Sequence, residues 1–144
     1  MDIDAVCQAI ADAITTAALD VNGERLTATP FAPDAPTTPH FYTAEFTGNY
    51  DKTFANSLTD LTLTCRLMLA RADDKTGQQQ AKALASTGTG TLHQAFRDMR
   101  GAPGQSALGG AADDIHLQRV QGPRLHEIGQ ASFYVLEFTV FVMG

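Results

Sequence analysis

The chain has 144 residues, 44% apolar and 18% charged, with a formal charge of -6. These totals fit one globular domain with a core of its own and exclude a disordered chain. Ten Lys and Arg against sixteen Asp and Glu, with no basic cluster along the sequence, exclude tight nucleic-acid binding of the kind that displaces counterions from phosphates.

The charge is unevenly placed. Residues 1–50 hold seven carboxylates (Asp2, Asp4, Asp12, Asp20, Glu24, Asp34 and Glu45) against one cation, Arg25, whereas residues 51–144 hold nine of each sign. Asp2 and Asp4 stand where a secretory leader would carry basic residues, so no leader is expected. No apolar run approaches the roughly 20 residues of a membrane helix. The two cysteines, Cys7 and Cys65, fall on apolar positions of periodic segments and read as reduced core residues.

Ile3, Val6, Cys7, Ile10, Ala13, Ile14 and Ala17 recur at helical spacing, and Asp2 can cap the start, which predicts an amphipathic helix over residues 2–19. Four prolines between residues 20 and 39 leave room for a short edge strand at residues 25–29 and then an extended loop. Residues 40–46 suit a strand, and the polar run TGNYDKTFANS reads as a turn-rich connection. Leu61, Leu63, Cys65, Leu67 and Leu69 then alternate with Thr62, Thr64, Arg66, Met68 and Ala70, predicting a long strand with one apolar and one mixed face.

Asp73 or Asp74 can cap a second helix ending near Ser86, with Ala81, Leu84 and Ala85 as its buried stripe. Thr91 can start a third, short helix carrying Leu92, Phe96 and Met99. Residues 101–112 have no periodicity and read as a connector. Residues 115–120 and 125–128 suit two shorter strands, with a bend or bulge at Gln121, Gly122 and Pro123. The last strand covers residues 132–143: Tyr134, Leu136, Phe138, Val140 and Val142 should face the core, with Phe133, Val135 and Phe141 on its other side. The sum is an α+β domain, a mixed or mostly antiparallel sheet of four to five strands. An N-terminal helix and one or two further helices pack on one face.

Chemistry is sparse. The four histidines are scattered, and none stands beside a Ser or Cys in a nucleophile arrangement. His126 and Glu127 are adjacent on a strand and so face opposite sides. The Asp73-Asp74 and Asp113-Asp114 pairs precede predicted elements, where capping is the ordinary role. No catalytic residue, metal site or cofactor is expected. Two interaction candidates remain. The loop Tyr50, Asp51, Lys52, Thr53, Phe54 places two aromatics in a polar stretch, either tucked onto the sheet or turned to a partner. Phe133, Val135 and Phe141, with Met68 and Ala70, make the uncovered sheet face half apolar. Either another subunit meets it or the Pro-rich segment folds over it.

NYDKTFANSLTDLTLTCRLMLAR, DDKTGQQQAKALASTGTGTLHQAF and DDIHLQRVQGPRLHEIGQASFYVLEFTVFV resemble the corresponding stretches of the tail terminator proteins of long-tailed bacteriophages, especially those infecting actinobacteria. The resemblance runs nearly end to end, as one tail-terminator-like domain over residues 1–144. It departs from the family's pattern in a longer Pro/Thr-rich segment at residues 29–39. It implies a structural protein, not an enzyme, that forms a hexameric ring at the head–tail junction of the virion after synthesis in the host cytoplasm. Its implied partners are further copies of itself, the major tail tube protein and a head-completion or connector protein. DNA passes through the lumen without specific binding, and no membrane is involved. The formal charge of -6 agrees, since a ring of such subunits is acidic and an acidic lumen would let DNA slide. The resemblance also implies that Tyr50, Asp51, Thr53 and Phe54 lie at an interface with the tube or a neighbouring subunit. Other head–tail joining rings, and a small-molecule-binding or enzymatic α+β domain, stay open as alternatives.

Overall fold

The computed structural model describes residues 1–21, 24–34, 39–50, 58–71, 75–128 and 131–144. Period-two hydrophobicity builds the centre of the molecule. Strands β4 (His40–Tyr50), β5 (Leu58–Arg71), β6 (Asp114–Ile128) and β7 (Ala131–Met143) are antiparallel neighbours, and the short β3 (Thr27–Thr29) runs parallel to the start of β4. The order across the sheet is β3-β4-β5-β7-β6, so the apolar closing segment is hydrogen-bonded on both sides. A two-stranded hairpin, β1 (Asp20–Val21) with β2 (Glu24–Arg25), precedes it, tied on the surface by Arg25 and Asp20 at 2.7 Å.

One face of the sheet is covered by helices α1 (Ile3–Ala17), α2 (Lys75–Ala85) and α3 (Leu92–Met99). Leu61, Leu63, Cys65, Leu67 and Leu69 of β5 and Leu136, Phe138, Val140 and Val142 of β7 are all buried there, with Tyr134 partly buried beside them. The helices supply Val6, Ile10, Ile14, Ala81, Leu84, Leu92, Phe96 and Met99. Phe41 packs tilted against both Phe96 and Phe138, ring centres 6.1 and 6.2 Å apart, and so ties β4, α3 and β7 together. Cys7 and Cys65 are free and buried, and burial pushes the Cys65 thiol up to about 12.

Capping sets the helix starts. Asp2 Oδ1 accepts from the backbone N–H groups of Asp4 and Ala5 at 3.0 and 3.2 Å, and Thr91 Oγ1 accepts from Gln94 N at 3.4 Å. Helix α1 stops at Ala18, whose backbone is left-handed (φ 54°). Asp73 and Asp74 lie outside the described residues.

Two strands run longer than their polarity suggests. Residues 47–50 continue β4 instead of opening a turn. Thr47 and Asn49 pair with Thr62 and Asp60 on the uncovered face, where polar side chains suit a strand. Gly48 leaves room for the Leu58 side chain, whose Cδ1 would lie 2.7 Å from a Cβ there. Residues 114–128 form one strand, not two. The interruption at residues 121–124 is a register shift against β7, with Gln121 opposite Glu137 and Arg124 opposite Val135, a bulge that bends the strand without ending it.

The Pro-rich passage meets the sheet at its edge. Thr27 Oγ1 lies 2.6 Å from His40 Nδ1, and Thr29 Oγ1 lies 2.9 Å from His40 Nε2. Thr29 donates its own proton to Phe31 O at 2.6 Å, so the neutral His40 ring carries its hydrogen on Nε2 and accepts from Thr27. His40 is buried, and desolvation lowers its pKa below the usual 6.5.

Candidate interaction surfaces

The uncovered face of the sheet is not uniformly apolar. At one end Tyr42, Met68 and Val135 form a small buried cluster, with Ala44 and Phe133 partly buried against it. In the middle Arg66 Nε sits 3.7 Å from Glu137 Oε2, flanked by half-buried Thr62, Thr64 and Thr139. Phe141 lies further along β7, between Thr62 and His116 on the neighbouring strands. Of the three residues assigned by alternation to this face, Val135 is only 5% exposed and belongs to the chain's own packing. Phe133 and Phe141 are half-buried and separated by the Glu137 and Thr139 positions, so they do not make one patch.

Tyr50, the last residue of β4, is 78% exposed. Asp51, Thr53 and Phe54 lie outside the described residues.

The edges of the sheet carry what the alternation did not single out. Among the described residues no strand pairs with the outer side of β6, nor with the outer side of β4 beyond Tyr42, where β3 stops. Unpaired strand edges are templates for association. Phe46 is 59% exposed on β4, and Val120 and Leu125 are 39% and 65% exposed on β6. Paired residues share a face, and Phe46, Tyr50, Val120 and Leu125 stand opposite Leu63, Leu58, Phe138 and Tyr134, all of which pack into the main core. All four exposed apolar residues therefore sit on the helix side of the sheet, at its two rims.

The edges also differ in charge. Residues 1–50 build α1 and β1 to β4, all seven of their carboxylates are exposed, and they carry the formal charge of -6, with Glu45 on the β4 rim itself. At the other side, α3, its C-cap Arg100 and β6 carry Arg97, Arg100, Arg119 and Arg124 with His93, His116 and His126, beside the carboxylates Asp98, Asp113, Asp114 and Glu127, so this side is close to neutral. Arg100 grips Asp114 with Nε and Nη2 at 3.0 and 3.1 Å, and His116 Nε2 reaches the same carboxylate at 2.9 Å. The Arg100 hydrogen bonds hold the Asp114 carboxyl down at about 2, fastening the end of α3 to the start of β6. Arg97, Arg119 and Arg124 are in no ion pair among the described residues. Spread over some thirty positions of sequence, these cations show no cluster until α3 and β6 are packed together.

The groove between the end of α3 and the following loop, about 550 Å³, is lined by Arg97, Arg100, Asp113, Asp114 and the chain from Gly101 to Gln105. Its Arg100 and Asp114 are already paired, and no nucleophile with an adjacent base lines it. Among the described residues no group of three or more His, Cys, Asp or Glu is placed to hold a metal ion. No described helix is long and apolar enough to cross a membrane. In comparisons with protein-family models, curated proteins and solved structures, the chain matches none.

Proposed function

We propose that the chain is a structural virion protein, a tail terminator that caps the phage tail tube as a hexameric ring, ends its polymerisation and joins the tail to the head connector. The observation that carries this reading is the order of elements matched to the sequence stretches that resemble that family. An N-terminal helix is followed by a strand running out to the Tyr50 loop, a second long strand, a helix pair, and two closing strands. In support, the candidate surfaces are extended rims suited to neighbouring subunits. The protein acts by assembly, at the head–tail junction. It meets further copies of itself, the tube protein and the head-completion protein, and DNA crosses the lumen without specific binding.

Six copies, each with a formal charge of -6, give a strongly acidic ring, which disfavours adhesion of passing DNA. Tyr50, at the exposed end of β4, is the described member of the loop assigned to contact the tube or a neighbour. Deleting the gene from the phage that encodes it tests the reading by electron microscopy. The expected result is overlong tails and heads without tails. Tails of normal length on intact virions would refute the proposal.

A further inference from the structure

The geometry points to a second copy of this chain as the occupant of the open sheet edges: residues 120–126 of β6 in one copy pair antiparallel with residues 45–50 of β4 in the next. The inference deepens the ring reading above, and rests on it for closure into a ring.

Four observations converge on this pairing. The first is length. Among the described residues β3 occupies the outer side of β4 only at residues 40–42, leaving residues 43–50 open, and β6 ends at residue 128. Setting Glu45 opposite His126, just past the bulge between Thr43 and Glu45, starts the new ladder beyond the point where β3 stops, so the two do not collide.

The second is the match of apolar residues. In that register Phe46 stands opposite Leu125. The bulge between Gln121 and Arg124 supplies one extra residue, so Tyr50 then stands opposite Val120. These are the four exposed apolar residues on the helix side of the two rims, and each would be covered by one from the other copy.

The third is charge on the opposite face. Glu45 pairs with Thr64, and Arg124 and His126 pair with Val135 and Phe133, all on the uncovered side. The register sets Glu45 opposite His126 and diagonal to Arg124, within reach of a long side chain. Glu45 and Arg124 are both exposed, so the register brings opposite charges together across the contact.

The fourth is direction. Successive antiparallel pairings from β4 through β5 and β7 to β6 leave β6 antiparallel to β4. A copy rotated about an axis along the strands keeps that direction and keeps its helices on the same side. It therefore extends the sheet with the pairing the sheet already uses. Such a contact joins two different patches, and repetition closes it into a ring without leaving an edge.

Sedimentation velocity on the purified full chain over a concentration series tests the pairing. Glu45→Arg and Arg124→Glu each change an exposed side chain, and thermal melting checks that the fold is kept. Each single change is expected to weaken association by about tenfold or more, and the two together in one chain to restore it. Phe46→Asp or Leu125→Asp should leave a folded monomer. If the wild type and all these variants associate equally, the edge pairing is wrong while the ring reading stands on another surface. If the wild type stays monomeric at every concentration and at tube ends, both fall.

Discussion

The two faces of the sheet are made by the same strands, residue by alternate residue, yet they are built to different rules. On the helix side β5 and β7 present nine buried aliphatic, aromatic or Cys side chains in unbroken series, and α1, α2 and α3 close over them. On the other side the same strands present Thr62, Thr64, Arg66, Glu137 and Thr139, with a small apolar cluster of Tyr42, Met68, Val135, Ala44 and Phe133 at one end and half-buried Phe141 further along. The covered face holds the fold together by excluding water over its whole length. The greasy closing strand is thus absorbed by the fold, and the exposed aromatic and aliphatic residues stand at the rims, beside strand edges unpaired among the described residues.

Substitutions should grade in the same order. Phe138→Ala removes a fully buried ring that packs against Phe41, and a loss of about 3–5 kcal/mol in urea unfolding is expected. Met68→Ala empties the one small cluster of the uncovered face and should cost less, roughly 2 kcal/mol. A larger loss at Met68 than at Phe138 would reverse the ranking of the two faces. Arg66→Met, which breaks the half-exposed pair with Glu137, should change stability by less than about 1 kcal/mol.

The smallest effect concerns pH. His40 has a lowered pKa in the folded chain, so the unfolded chain takes up the proton first. Stability from this group is complete above 6.5 and declines as pH falls below it, and His40→Gln should flatten that part of the profile. Thermal melting as a function of pH reads it directly. An unchanged slope in the variant would place the acid sensitivity elsewhere.

Alternation and capping made most of the fold legible in the sequence. Leu61 to Leu69 and Tyr134 to Val142 declare both their strand and their core face. Asp2 and Thr91 stand at the helix starts, and Leu92, Phe96 and Met99 mark the third helix. The misread parts share one cause. Residues 47–50 are polar with a Gly and read as a turn, and the bulge expected at 121–123 is present but does not divide β6 into two strands. Strands on an open face or at a bulge accept such residues. Val135 looked outward by parity, and it does face the uncovered side, but Tyr42 and Met68 come from strands whose register no local pattern states. Rims were hidden for a related reason. Phe46, Val120 and Leu125 read as ordinary strand apolar residues, and only the sheet order puts them at an edge. The acidic first fifty residues were visible at once, while the gathering of Arg97, Arg100, Arg119 and Arg124 on one side appears only when α3 packs beside β6.

The central claim is that this protein ends tube growth. It is tested most directly by polymerising the purified major tail tube protein with and without the chain and measuring tube lengths by electron microscopy. The account predicts short tubes, each capped at one end by a ring, with growth arrested once every end is occupied. Tubes that lengthen at the same rate and to the same extent in its presence would contradict it.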